Sequence, residues 1–230
     1  MKMSLKKVLA AVLALTFLAA CFTACGSKGT GSSSSDGKTL KIGSSGPLTG
    51  DAAAYGIAVK NGIQLAVDEI NAAGGGNGMK LEFQMEDDEA DAEKAVNAYN
   101  TLKDNGMKVF IGTVTTGACL SVVSQTKADN MFQITPSASA AKVIANDNCF
   151  QVCFTDPNQG TASADYIASK GLATKVAVIY NSSDAYSSGI YDNFKAEAAA
   201  KGLDLVASEA FTGDSKQDFS SQLSKIKASG

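Results

Sequence analysis

From Thr39 onward, short apolar runs along the chain alternate with longer stretches in which apolar residues recur every three or four positions. Residues 40–43 form the first run. Val59, Ile63, Ala66 and Ile70 then repeat at spacings of four, three and four, one face of a helix that Gly74 stops. Residues 79–85 alternate strictly, with Met79, Leu81, Phe83 and Met85 pointing one way, as on a strand with one buried face. A helix over residues 92–103 gathers Ala95, Tyr99 and Leu102 on one side. Strands are predicted at residues 108–112, 131–135 and 150–154, with a helix starting near Thr116. Asp156 and Pro157 open another helix, because Asp is a good N-cap and Pro fits the first turn. Residues 175–180 and 203–211 read as strands around a helix that ends near Lys201. A last helix carries Phe219, Leu223 and Ile226.

Apolar strands alternating with amphipathic helices predict an α/β fold, with parallel sheets covered by helices on both faces. One α/β lobe is expected over residues 39–155. A second begins at 156 and runs to 230 with only two clear strands, too few for a sheet of the usual size. The chain therefore reads as the N-terminal part of a longer protein, its second lobe incomplete.

Before residue 39 the pattern changes. Residues 1–7 carry Lys2, Lys6 and Lys7, and residues 8–20 are apolar except for Thr16. Such a segment is too short to span a bilayer comfortably and has the layout of a signal peptide. It runs into "LAACFTACGS", where Cys21 and Cys25 are both candidates for the lipid-modified first residue of a bacterial lipoprotein. Leu18-Ala19-Ala20-Cys21 is the better match to the usual cleavage box. Gly26 and Ser27, which look like the start of a tether, tip the choice to Cys25. The expected order is a leader over residues 1–25 and a Gly/Ser tether over 26–38. That tether would reach roughly 20 Å on average. The folded body is then expected outside the cytoplasm, anchored to the cell membrane by its lipid.

Composition narrows the chemistry. The 230 residues carry a net charge of −3, so no basic surface argues for nucleic acid. All twenty cations are Lys, and His and Trp are absent. Without His, the commonest general base and zinc ligand is missing. The glycine run at 74–78 follows a helix and precedes a strand, the wrong order for a phosphate loop. No nucleophile–base pair stands out. The reading is a protein that is not an enzyme, with no cofactor and no metal. Cys119, Cys149 and Cys153 read as small apolar residues. The last two, four strand positions apart, would lie roughly 13 Å from each other, too far for a disulfide. The acidic run at 86–93 lies at a strand end and a helix start, where the helix dipole favours negative charge, and reads as a solvated cap.

In a doubly wound sheet, ligands bind beyond the carboxyl ends of the strands. Those ends are "SSGPLTG" at 44–50, with Tyr55 shortly after, "TVTTG" at 113–117 and "PSAS" at 136–139. All are short and hydroxyl-rich. Hydroxyls beside the free N–H groups of a helix N-terminus form an anion site. With Arg absent, a carboxylate bound here must be held by such groups or by Lys.

These residues carry a family resemblance. "LKIGSSGPLTGDAAAYGIAVKNGIQLAVDEINAAGG" resembles the opening of the leucine/isoleucine/valine-binding proteins, and the likeness continues through "DDEADAEKAV", "VFIGTVTTG", "ITPSAS" and "FTDPNQGTASADYI". It implies a type I periplasmic-binding-protein fold, two doubly wound parallel-sheet lobes that close on a ligand about a hinge. It also implies a solute-binding protein of an ABC importer, taking an amino acid from the branched-chain class first. The alternatives are an amide- or urea-type solute, or a sensory receptor module on the same fold. The implied partners are the amino acid, the transporter permease subunits and, through the lipid, the membrane, with the protein itself a monomer. The family's grip on the ligand's carboxylate and ammonium maps onto Thr116, with Thr115 beside it, and onto Ser137 through its carbonyl and Ser139 through its hydroxyl and N–H. Tyr55 takes the place of an aromatic wall, and Tyr186 that of the second lobe's tyrosine. The family's acidic ammonium ligand lies further along than this sequence reaches.

Overall fold

Gly43 shows how the central sheet is built. A Cβ there would stand 2.1 Å from the Met107 sulfur, so only glycine lets this strand meet the core beside it. The strand is β1, Thr39–Gly46, in a computed structural model that describes residues 39–230. The leader and tether, with Cys21 and Cys25, lie outside the described residues.

After β1 come α1 (Ala53–Ala72), β2 (Lys80–Asp87), α2 (Ala92–Asp104), β3 (Val109–Ile111), α3 (Thr116–Ala128), β4 (Phe132–Thr135) and β5 (Cys149–Gln151). The five strands form one parallel sheet in the order β2-β1-β3-β4-β5. The chain then makes α4 (Asp156–Ser169), β6 (Lys175–Asn181), α5 (Ala185–Ala200), β7 (Asp204–Phe211) and α6 (Ser220–Ala228). Here β6 and β7 pair in parallel as a separate two-stranded sheet. The α/β reading and the strand–helix alternation hold throughout. The two groups of elements are called the first and second lobe below.

The main core lies between the first sheet and α2 and α3. Tyr99, Leu102, Met107, Phe110, Ala118 and Val122 pack there, with the Tyr99 and Phe110 rings edge to face at 5.3 Å. The hydroxyl of the buried Tyr99 is satisfied by donating to Asp129 at 2.9 Å. Asp91 caps α2 by accepting from the Glu93 and Lys94 N–H groups. Gln133 faces the same side of the sheet; its amide donates to the Gly112 carbonyl at 2.8 Å and accepts from Thr126 at 2.7 Å. Cys119 and Cys149 pack against it as free, buried thiols.

The opposite face is less complete. In α1 the buried residues are Gly56 and Val67, whereas Ala66 and Ile70, expected on the packed face, are exposed. Gly56 sets this rotation, since a Cβ there would lie 1.9 Å from the Pro47 carbonyl oxygen. The helix is drawn down onto the loop after β1 and covers mainly β2 and β1. Farther across, Phe132 and Phe150 stack on each other at 5.3 Å, with both rings exposed.

In the second lobe, Gly160 of α4 admits the backbone of α5, because a Cβ would stand 2.4 Å from the Ile190 carbonyl oxygen. Ala164, Phe194, Ala198 and Leu203 form the small core behind this contact. No residue of β6 or β7 is fully buried.

Candidate functional site

A cleft of about 420 Å³ opens where the carboxyl ends of the first sheet face the second lobe. The six residues expected at the site all line it: Tyr55, Thr115, Thr116, Ser137 and Ser139 from the first lobe, and Tyr186 from the second.

The loop after β1 is fixed from below. Asp87 at the end of β2 accepts from the Leu48 N–H at 2.8 Å and the Thr49 hydroxyl at 2.6 Å. This holds the entry to α1, and with it Tyr55, which is 69% exposed and lines the cleft.

Helix α3 points its N-terminus at the same space. Its first N–H groups have no partner within the helix, as at any helix start. Thr115 is the N-cap residue in extended conformation, yet its side chain makes no capping bond. The Thr115 hydroxyl is buried and unpartnered. Partial positive charge and an idle hydroxyl thus meet at one point, which suits an anion.

The segment after β4 is tied into place by hydroxyls. Thr135 donates to the Thr113 carbonyl at 2.6 Å and accepts from the Ala138 N–H at 3.0 Å. Ser137 donates to the Val114 carbonyl at 2.6 Å. Ser139 is fully engaged: its N–H donates to the Thr116 hydroxyl at 3.1 Å, and its own hydroxyl donates to Asp156 at 2.5 Å. A hydroxyl has one hydrogen, so Ser139 can offer the cleft only lone pairs. Thr116 has accepted one bond and keeps its hydrogen to give.

Asp156 differs from its expected role. Thr155 is the N-cap, and Asp156 is the first residue of α4, buried and turned toward the first lobe. Its N–H donates to the Ser139 carbonyl at 2.9 Å. Its second carboxylate oxygen has no partner and abuts Gly189 of α5, where a Cβ would come within 2.9 Å. Burial raises the Asp156 pKa; the Ser139 hydroxyl opposes this and the Asp184 charge adds to it. Asp184 caps α5 by accepting from the Tyr186 and Ser187 N–H groups, both at 3.3 Å. The Tyr186 hydroxyl then donates to Gln159 at 3.1 Å. Burial and the Asp156 charge raise the Tyr186 pKa.

Sequence reasoning missed Asp184, Gln159 and Phe154 as cleft residues, and read Cys153 as a small apolar residue without placing it in the wall it helps to form. It also missed Asp156, which stands behind Ser139. The one readable signal for Asp156 was Thr155 before it, a second residue able to cap the helix. Among the described residues no lysine lines the cleft. The arrangement offers donors at the start of α3, an acid-backed acceptor at Ser139 and apolar or aromatic walls. It can take up a small molecule that carries negative and positive charge side by side.

The family model for periplasmic binding proteins matches residues 39–230. Over 191 residues the chain is 36% identical to the Leu/Ile/Val-binding protein BraC3 of Rhizobium johnstonii, a match covering 82% of this chain and 52% of that protein. It is 30% identical to a leucine-, isoleucine-, valine-, threonine- and alanine-binding protein of Pseudomonas aeruginosa, over 93% of this chain and 57% of that protein. In structure it resembles the branched-chain amino acid transporter substrate-binding protein LivJ of Streptococcus pneumoniae in complex with isoleucine. The TM-score is 0.76 at 32% identity, covering 83% of this chain and 54% of LivJ. The chain thus spans about half the length of the relatives it matches.

Proposed function

Because this chain belongs to the periplasmic binding protein family, we propose that it forms the gripping lobe and part of the closing lobe of an extracytoplasmic solute-binding protein of an ABC importer. Its ligand is an amino acid, in the first place a branched-chain one, and it binds without turnover. The observation that carries this is the pairing at the cleft floor. The N-terminus of α3, with the unpartnered Thr115 hydroxyl and the hydrogen left on Thr116, receives the carboxylate. The Ser139 oxygen, held as an acceptor by Asp156, receives the ammonium. Tyr55, Tyr186 and the neighbouring apolar residues enclose the side chain. The relatives named for leucine, isoleucine and valine support the branched-chain choice.

In this reading the protein works as a monomer held to the membrane through a lipid on Cys25 or Cys21. Closure of the second lobe over the solute makes the surface that the permease subunits recognise. The test is a thermal-shift screen of the protein against the twenty amino acids, followed by calorimetry on those that stabilise it. Leucine, isoleucine or valine is expected to bind, with the matching des-amino acids at least tenfold weaker. Equal affinity for the des-amino acids would remove the ammonium subsite, and failure of every amino acid to bind would remove the reading.

A further inference from the structure

Seven ion pairs occur among the described residues, and six of them join groups within one lobe. The seventh joins Lys216 of the second lobe to Asp51 of the first, 165 positions apart in sequence. Asp51 lies in the loop between β1 and α1, next to Ala52, which lines the cleft. Lys216 follows the single helical turn Gly213–Ser215 after β7. The other side-chain bond that crosses from lobe to lobe is the one between Ser139 and Asp156, where the chain itself passes over.

We propose that the Asp51–Lys216 pair is a closure latch, an ion pair that forms when the lobes approach and biases the protein toward its ligand-holding state. The proposal rests on the reading of the cleft as the ligand site. Three properties fit the role. Both groups sit in turns outside the helices and strands, so the contact makes and breaks without disturbing the core. Both stay in water, with the Asp51 and Lys216 side chains 85% and 44% exposed, so separation leaves no buried charge behind. An exposed pair is also weak, worth roughly two- to five-fold in an equilibrium constant. Weakness is required here, because a strong pair would shut the lobes with no ligand inside and abolish the discrimination between open and closed states. A Debye length of about 10 Å at 0.1 M salt means that the latch loosens as ionic strength rises.

The experiment compares the protein with Asp51→Lys, Lys216→Asp and the double exchange. Amino-acid affinity is measured by calorimetry at low and high salt. Each single reversal is expected to weaken binding roughly two- to five-fold or more at low salt, the double exchange to restore it, and high salt to erase the differences. Singles that bind as the unaltered protein does, or an exchange no better than either single, would overturn the latch. Carbodiimide coupling, which joins a carboxylate to an amine in direct contact with loss of water to the reagent, is run in parallel. The Asp51–Lys216 crosslinked peptide is expected by mass spectrometry, with the within-lobe pair Lys225–Glu209 as the yield reference. If that crosslink forms while no amino acid binds, the contact stands and the ligand assignment fails. If amino acids bind and the crosslink is absent with ligand present, the latch fails and the ligand assignment stands.

Discussion

The two lobes that face each other across the cleft are represented unequally in this chain, which spans about half the length of its relatives. The first has five strands and a core in which Tyr99, Phe110, Ala118 and Val122 are excluded from solvent. Two of its cleft-lining hydroxyls are held in place, Ser137 by donating to the Val114 carbonyl at 2.6 Å and Thr116 by accepting from the Ser139 N–H at 3.1 Å, while Thr115 stays unpartnered. The second has two strands with no fully buried residue, and it offers the cleft an exposed tyrosine on the end of a helix. One wall is organised within this chain, whereas the other rests on the two strands of the second lobe that this chain supplies. Binding energy that depends on fixed geometry should therefore reside in the first lobe, and the second should contribute mainly enclosure.

The strongest way to break this contrast is through the cores. Phe110→Ala is expected to cost about 3–5 kcal/mol of stability, and Phe194→Ala in the second lobe less, because its ring is already 8% exposed in a smaller cluster. Urea unfolding of both variants checks this, and equal losses would erase the distinction.

A rigid lobe can also hold a carboxylate away from water. Asp88 is fully buried with one oxygen unpartnered, and burial lifts its pKa to about 6 against the opposing Ala90 N–H. The protonated form is the one the folded state prefers. Its stabilising effect is complete below the unfolded pKa near 3.8 and is lost as pH rises through about 6. Asp88→Asn, neutral at every pH, should be the more stable protein at pH 8 by up to about 3 kcal/mol. That gap should close as pH falls toward about 4. Urea midpoints followed across pH test it, and a gap that is constant with pH would contradict it.

Within the cleft, Ser139→Ala should weaken amino-acid binding by about 1–3 kcal/mol, roughly 5–150-fold, since a buried charged group loses its partner. Tyr186→Phe removes one exposed hydrogen bond to Gln159 and should cost less than about 1 kcal/mol. Calorimetry on both variants sharpens the contrast between the walls, and a larger loss at Tyr186 would reverse it.

Much of this could be read from the amino acids alone. Strand alternation and topology marked the hydroxyl-rich segments 113–117 and 136–139 as open strand ends, and the family resemblance singled out Thr115, Thr116, Ser137 and Ser139 within them. What escaped depends on contacts between distant elements. Asp156 before a proline has an ordinary local role as a cap, and only the second lobe folding back onto Ser139 gives it another. The packed face of α1 was misjudged by a fraction of a turn, because hydrophobic spacing carries no trace of the Gly56–Pro47 approach. Asp88 sits in an acidic run that looks hydrated from end to end, and its burial follows from the close of β2 against β1.

The bond from Ser139 to Asp156 also has a mechanical consequence. Asp156 is the first residue the chain reaches after crossing over, and its N–H and its carboxylate both clasp the same serine. In the function proposed above, a solute that leans on that oxygen leans on the axle itself, so sensing and turning would be geared together with no intervening transmission.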